Sequence, residues 1–176
     1  NLAGVPSVVY GLLGLGAFIR IGKLAPGTVI VGGMTLALLI LPIVIISARE
    51  AIRSVPDTRR NASFGMGATR WQTVRNVVLP EAFPGILTGT ILALGRAVGE
   101  TAPLIVIGAP AIFGVPDAFG DRVGAIPVQI YAWASTFGSE AFYTTVLAAG
   151  VLTIVVILLT MNSIAIVLRN RYQRET

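Results

Sequence analysis

Residues 29–48 read VIVGGMTLALLILPIVIISA and residues 144–168 read TTVLAAGVLTIVVILLTMNSIAIVL, two runs without a charged side chain. A helix of about 20 predominantly apolar residues crosses the hydrocarbon core of a bilayer. In lipid the backbone N–H and C=O groups must bond within their own segment, and a helix does this without a partner strand. Of all residues 55% are hydrophobic and 12% charged, against about 25% charged in an ordinary soluble domain. The chain is therefore predicted to be an all-α polytopic membrane protein.

Residues 85–108 form a third run of spanning length, but it contains Arg96 and Glu100. A fourth run, residues 5–19, is about one turn short. About four transmembrane helices are expected, within a single membrane domain over residues 1–176. The chain begins at Asn1 inside an apolar stretch, so that domain is expected to be N-terminally incomplete. Cysteine and histidine are both absent, which removes thiolate and imidazole metal sites, disulfides and His-based acid–base catalysis.

Basic residues orient the spans, because cytoplasmic loops are enriched in Lys and Arg. Arg49, Arg53, Arg59, Arg60, Arg70 and Arg75 lie between the second and third runs, and Arg169, Arg171 and Arg174 follow the last. Loop 49–84 and the C-terminus are thus expected on the cytoplasmic side. Residues 109–143 then lie outside, with Asp117, Asp121 and Glu140 against Arg122; only Arg20 and Lys23 go against the rule. The net charge of +5 follows from this topology, and no solvated groove of interleaved basic and aromatic residues points to nucleic acid.

On a helical wheel Gly85, Gly89, Ala93, Arg96, Gly99, Glu100 and Pro103 fall within one arc of roughly 120°, with Leu87, Ile91, Leu94, Val98 and Ile105 opposite. Gly85 with Gly89 and Gly95 with Gly99 are small-xxx-small pairs, a spacing that lets helices approach closely. The small, charged face is expected against protein or a cavity. Each charge in mid-membrane costs about 2.5 to 3.5 kcal/mol on insertion scales, and Arg96 and Glu100, at i and i+4, can offset one another. Two readings are open. Either the pair fixes packing, or it lies on a substrate pathway, with the Arg96 fork available to an oxyanion and Glu100 holding it or neutralising the empty path.

Loop 49–84 carries its own local signals. Asp57, after Pro56, is a candidate cap for a helix over 58–66 that Gly67 ends; Thr69 is a candidate cap for a second helix to Val78; Pro80 and Pro84 are expected to break the chain before the third span. A helix-Gly-helix element at a membrane face suits a docking surface; a solvated amphipathic loop is the other reading of the same residues.

Ala62 and Ser63, Gly67 after three residues, and Val77-Val78-Leu79-Pro80 after nine more fit the EAA motif of ABC importer membrane subunits. With GATRWQTVRNVVLPEAFPGILTG, GRAVGETAP and the opening NLAGVPSVVYGLLGL, the whole chain resembles the PstA-type permease subunit of bacterial phosphate ABC importers. The resemblance implies a type I ABC importer permease fold and a bacterial inner-membrane location. It implies a coupling helix at residues 58–66, with Asn61, Ala62, Ser63, Gly67, Leu79 and Pro80 as the ATPase-coupling set and Arg96 and Glu100 as pathway residues. The implied partners are an ATP-binding cassette ATPase, a second homologous permease, an extracytoplasmic phosphate-binding protein and the lipid bilayer. Asn61 stands where the motif has Glu, which keeps the size and some hydrogen bonding of that position and removes its charge.

No cofactor is expected in this chain. Its single lysine, Lys23 in RIGKLAPG, lacks the upstream Gly and the following Ser or Thr of a phosphate-binding P-loop; ATP and Mg would be held by the partner. The alternatives are another oxyanion as cargo (molybdate, sulfate, phosphonate), or a proton-coupled secondary transporter with Glu100 as proton carrier. Serine catalysis lacks an activating His or a Ser-x-x-Lys pair.

Overall fold

The structure, a computed structural model, describes residues 4–111, 114–136 and 138–174. Among these residues every regular element is a helix, apart from one isolated bridge, Thr28 with Arg122. Three helices have the length and apolarity to cross a membrane: α2 (Val29–Arg53), α4 (Arg70–Val98), and α7, which runs on from Glu140–Phe142 through Tyr143–Leu147 to Ala148–Arg174. A shorter apolar helix, α1 (Ser7–Ile21), precedes them. Between the long helices lie α3 (Asp57–Gly65), α5 (Ala102–Val106) and α6 (Ile126–Ser135).

Glycine sets how the spans meet. A Cβ on Gly85 would lie 2.8 Å from Cβ of Ala51, and one on Gly89 would overlap Cβ of Ser47. The first small-xxx-small pair of α4 therefore seats on Ala51 and Ser47 of α2, and the order of the contacts makes the two helices antiparallel. The second pair meets α7: Gly95 faces Oδ1 of Asn162 and Gly99 faces Cδ1 of Leu158. The single face read from the sequence is thus divided between two neighbours, while Leu94, Val98 and Ile105 on the opposite arc are exposed, as expected.

Three boundaries differ from expectation. Residues 85–108 are not one span: α4 ends at Val98, Gly99 and Glu100 close back onto Arg96 and Ala97 by short backbone bonds (3.1 and 3.2 Å), and α5 starts anew with Pro103 in its first turn. Proline has no N–H to continue a ladder but suits a helix start. Conversely, Pro80 and Pro84 do not break the chain. A π-turn at Val74–Val78 widens the helix just before Pro80, where a missing N–H and a bulky ring are tolerated. Loop 49–84 is consequently helical over most of its length, its ends belonging to α2 and α4.

At the end of the molecule away from α3, the described residues between 114 and 125 bond back to the start of α2. Carbonyls of Asp121 and Phe119 accept the N–H groups of Val29 and Ile30 (3.0 Å each), satisfying N-terminal donors of α2 that no side chain caps. Asp121 Oδ2 in turn accepts from the N–H of Asp117 and Ala118 (3.0 and 2.8 Å). The helix α6 in this region was not foreseen; Trp133 on it packs against Gly150 of α7 and edge-on to Phe142 at 6.4 Å. The core beneath joins Val31, Leu104, Ile107 and Val128, binding α2, α5 and α6 together.

Candidate functional site

Arg96 lies in the last turn of α4, where the partial negative charge of the helix end favours a cation. Glu100 lies in the break between α4 and α5, and its Oε1 is 3.4 Å from Arg96 Nε. The structure therefore brings together the two charged residues that the sequence singled out. They differ in cover: the Glu100 side chain is 15% exposed and that of Arg96 56%. The contact engages Nε, so the Nη donors of the planar fork are left for another acceptor. A forked cation on an otherwise apolar helix, part-neutralised by one carboxylate, is suited to hold an oxyanion that competes with that carboxylate.

One polar neighbour was missed in the sequence. Asn162, half-buried in α7, has its Oδ1 3.4 Å from where a Cβ on Gly95 would be, one residue from Arg96. Its signal in the sequence is a lone amide within the apolar run 144–168. Volume is a poor guide to the site. The open groove of about 510 Å³ between α6 and α7 is lined by residues such as Ile126, Trp133 and Val146, none of them ionisable, so it offers an anion no counter-charge.

The second element is a hairpin of α3 and the start of α4. Pro56 occupies the N-cap of α3 without a side-chain cap, so Asp57 is not the cap but the first helical residue, 3.8 Å from Arg60. Its charge still complements the helix N-terminus. Gly67 has φ +82°, and the N–H groups of Gly67 and Ala68 bond the carbonyls of Phe64 (2.9 Å) and Ser63 (3.2 Å), the Schellman closure that a left-handed residue permits. Thr69 caps α4 as expected, in a reciprocal box with Gln72. Ser63 and Thr73 share a hydroxyl hydrogen bond of 3.0 Å across the hairpin, and Val55, Val78 and Ala82 are buried beneath it.

Of the coupling set, Asn61, Ala62, Gly67, Leu79 and Pro80 are exposed and Ser63 is half-buried. Leu79 and Pro80 lie past the π-turn, where the neighbours Val78 and Ala82 do the packing. Exposed beside the set are Phe64, Met66 and Trp71, the latter two at 89% and 68%. A surface of this kind on a hairpin fixed from below is built to be covered. Gly67→Ala forces a side chain into the left-handed region and is expected to cost about 1 kcal/mol. Faster tryptic cleavage at Arg59, Arg60 or Arg70 in detergent-solubilised protein would register it.

The sequence pattern of the family "Binding-protein-dependent transport system inner membrane component" matches residues 2–174, almost the whole chain. The chain belongs to this family. Among relatives of this transport-system component, it is 34% identical over 168 residues to "Phosphate transport system permease protein PstA 1" of Mycobacterium tuberculosis, covering 96% of this chain and 54% of that one. It is 37% identical over 147 residues to "Probable ABC transporter permease protein YqgH" of Bacillus subtilis, covering 78% and 47%. To "Phosphate transport system permease protein PstA" of Yersinia pestis it is 33% identical over 164 residues, covering 93% and 54%. The chain spans about half the length of the curated relatives it matches. No solved structure matches it.

Proposed function

We propose that this chain is part of the membrane-spanning permease subunit of an ATP-driven phosphate importer in a bacterial inner membrane. The observation that carries the reading is similarity, over 96% of the chain, to a permease named for phosphate transport. The uncovered fork of Arg96 beside Glu100 supports it, being chemistry that a tetrahedral oxyanion can use. Loop 49–84 and the C-terminus face the cytoplasm in this reading, and the exposed surface around Asn61, Phe64 and Met66 receives an ATP-binding cassette ATPase. With Asn61 in place of Glu, apolar cover supplies more of that contact than charge does.

ATP and Mg belong to the ATPase, and this chain contributes no cofactor. A second homologous permease covers the side of α4 that bears Arg96, and an extracytoplasmic phosphate-binding protein delivers cargo at the α6 end. Transport is by alternating access. ATP binding draws α3 inward, the spans rock, and phosphate exchanges with Glu100 for the Arg96 donors. An empty pathway stays neutral because the pair closes on itself. The cargo goes through unchanged, so the permease stabilises a position and not a reaction.

The test is uptake of labelled phosphate in cells whose own permease gene is deleted, supplied with the complete gene that contains this chain. ATP-dependent uptake is the expected result. An intact complex that moves sulfate or molybdate and no phosphate would transfer the reading to another oxyanion. Uptake abolished by an uncoupler yet insensitive to ATP depletion would replace it with a proton-coupled carrier.

A further inference from the structure

Motion of α3 has two routes to the Arg96–Glu100 pair. The covalent route passes through the Gly67 turn and then the π-turn Val74–Val78 before it reaches the regular part of α4. Both are compliant: one is a reversal, and the other has the widened, weaker bonding typical of a π-bulge. The second route skips them. Arg59 Nη1 on α3 is 3.3 Å from Glu81 Oε2 on α4, and Glu81 follows the π-turn.

We infer that the Arg59–Glu81 ion pair is a strut that carries displacement of α3 directly into the span bearing Arg96 and Glu100. The inference rests on the importer reading above. Burial of one carboxylate oxygen is its first support: Oε2 of Glu81 is fully buried and has no hydrogen-bond partner, leaving the Arg59 charge as its compensation. The side chains as wholes are 22% exposed for Glu81 and 54% for Arg59, so the pair is only partly desolvated, but separating it still leaves that oxygen without its counter-charge. The second support is how α3 is held elsewhere. Arg60 Nη2 donates to the Ile52 carbonyl at the end of α2 (2.6 Å), and Ser63 bonds Thr73 ahead of the π-turn. Neither of those contacts reaches past the π-turn.

The geometry downstream suits a lever. From Glu81 to Arg96 the chain is uninterrupted α-helix, so a push at Glu81 is delivered roughly 22 Å away at 1.5 Å per residue. Gly85 and Gly89 seat this segment on α2, which gives the lever a bearing surface near its driven end. Arg59 and Glu81 are positioning residues in this scheme and need not touch cargo.

The experiment uses the complete permease assembled with its ATPase in proteoliposomes. Arg59→Gln and Glu81→Gln are each expected to raise ATP hydrolysed per phosphate moved by about three- to fivefold, the worth of one partly exposed ion pair. The double variant should be no worse than either single, and the swap Arg59→Glu with Glu81→Arg should restore the ratio. Additive single effects, or a swap that restores nothing, would overturn the strut. So would loss of ATPase co-purification in the Arg59 variant alone, since Arg59 would then be a docking residue.

A second readout does not depend on cargo. Residues 1–176 contain no cysteine; with any cysteines in the rest of the complex replaced, nitroxide labels on Thr58→Cys and Leu92→Cys report the separation of α3 from the lever. ATP trapping by vanadate should leave that separation unchanged with the pair intact and alter it in Glu81→Gln. A separation that changes equally in both sinks the strut even if phosphate proves to be the wrong cargo. A wild-type complex that moves no phosphate while its labels behave as expected would sink the cargo alone.

Discussion

On the importer reading, Arg96→Gln is expected to lower phosphate uptake by about 10- to 100-fold while the variant still reaches the membrane and co-purifies with the ATPase. The size follows from what glutamine removes. A hydrogen bond to a charged group contributes about 1.5 to 3 kcal/mol, and each 1.4 kcal/mol is about a factor of ten. The Arg96 fork offers its Nη donors in one plane, and Glu100 engages only Nε. Gln keeps one amide and loses both the charge and the fork. Assembly should survive, because the Arg96 side chain is 56% exposed and α4 is held by Gly85 and Gly89 on α2 and by Gly95 and Gly99 on α7. Arg96→Lys is expected to fall between the two, with a charge but no fork. Unimpaired uptake in Arg96→Gln would make the pair a packing device and end its role on the pathway.

Gly89→Val is expected to cause a large loss of stability. An ideal Cβ at Gly89 overlaps the Ser47 side chain, and backbone as well as side-chain atoms of α2 stand behind it. Forcing carbon into a filled interface costs about 1 to 3 kcal/mol or more, and here it separates two spans along their contact. The expected result is a strongly reduced membrane level and a lowered melting temperature of the solubilised complex. Gly33→Val is the control: nothing lies within 4 Å of its Cβ position, so it should remain within about 0.5 kcal/mol of the parent. Ser47→Gly should recover part of the Gly89→Val loss. If Gly89→Val and Gly33→Val melt alike, α2 and α4 do not meet at this point.

Some of the architecture is local and was readable residue by residue. Length and apolarity found α2 and α7, Gly67 and Thr69 ended and began the hairpin helices, and the i, i+4 spacing joined Arg96 to Glu100. Each rests on interactions within a few residues, so neighbours in the chain suffice to specify it. Where local rules competed, the sequence misled. Pro80 and Pro84 signalled a break, yet the helix passes through both: the π-turn before Pro80 makes room for the first, and Pro84 sits within the regular helix. The unbroken run of residues 85–108 signalled one span, yet it divides at Gly99–Thr101.

What the sequence by itself determined is a helical membrane chain with two small-residue pairs, a charged pair at residues 96 and 100 and a helix-Gly-helix hairpin. Only the tertiary structure decided which neighbour each pair meets: Ser47 and Ala51 for Gly85 and Gly89, Leu158 and Asn162 for Gly95 and Gly99. It alone set Arg59 against Glu81, 22 residues apart in the chain and on opposite sides of the hairpin turn. The physical reason is that periodicity gives a helix its faces but not its partners. Partners are chosen by close packing over surfaces distant in sequence, where a single methyl group can forbid an approach.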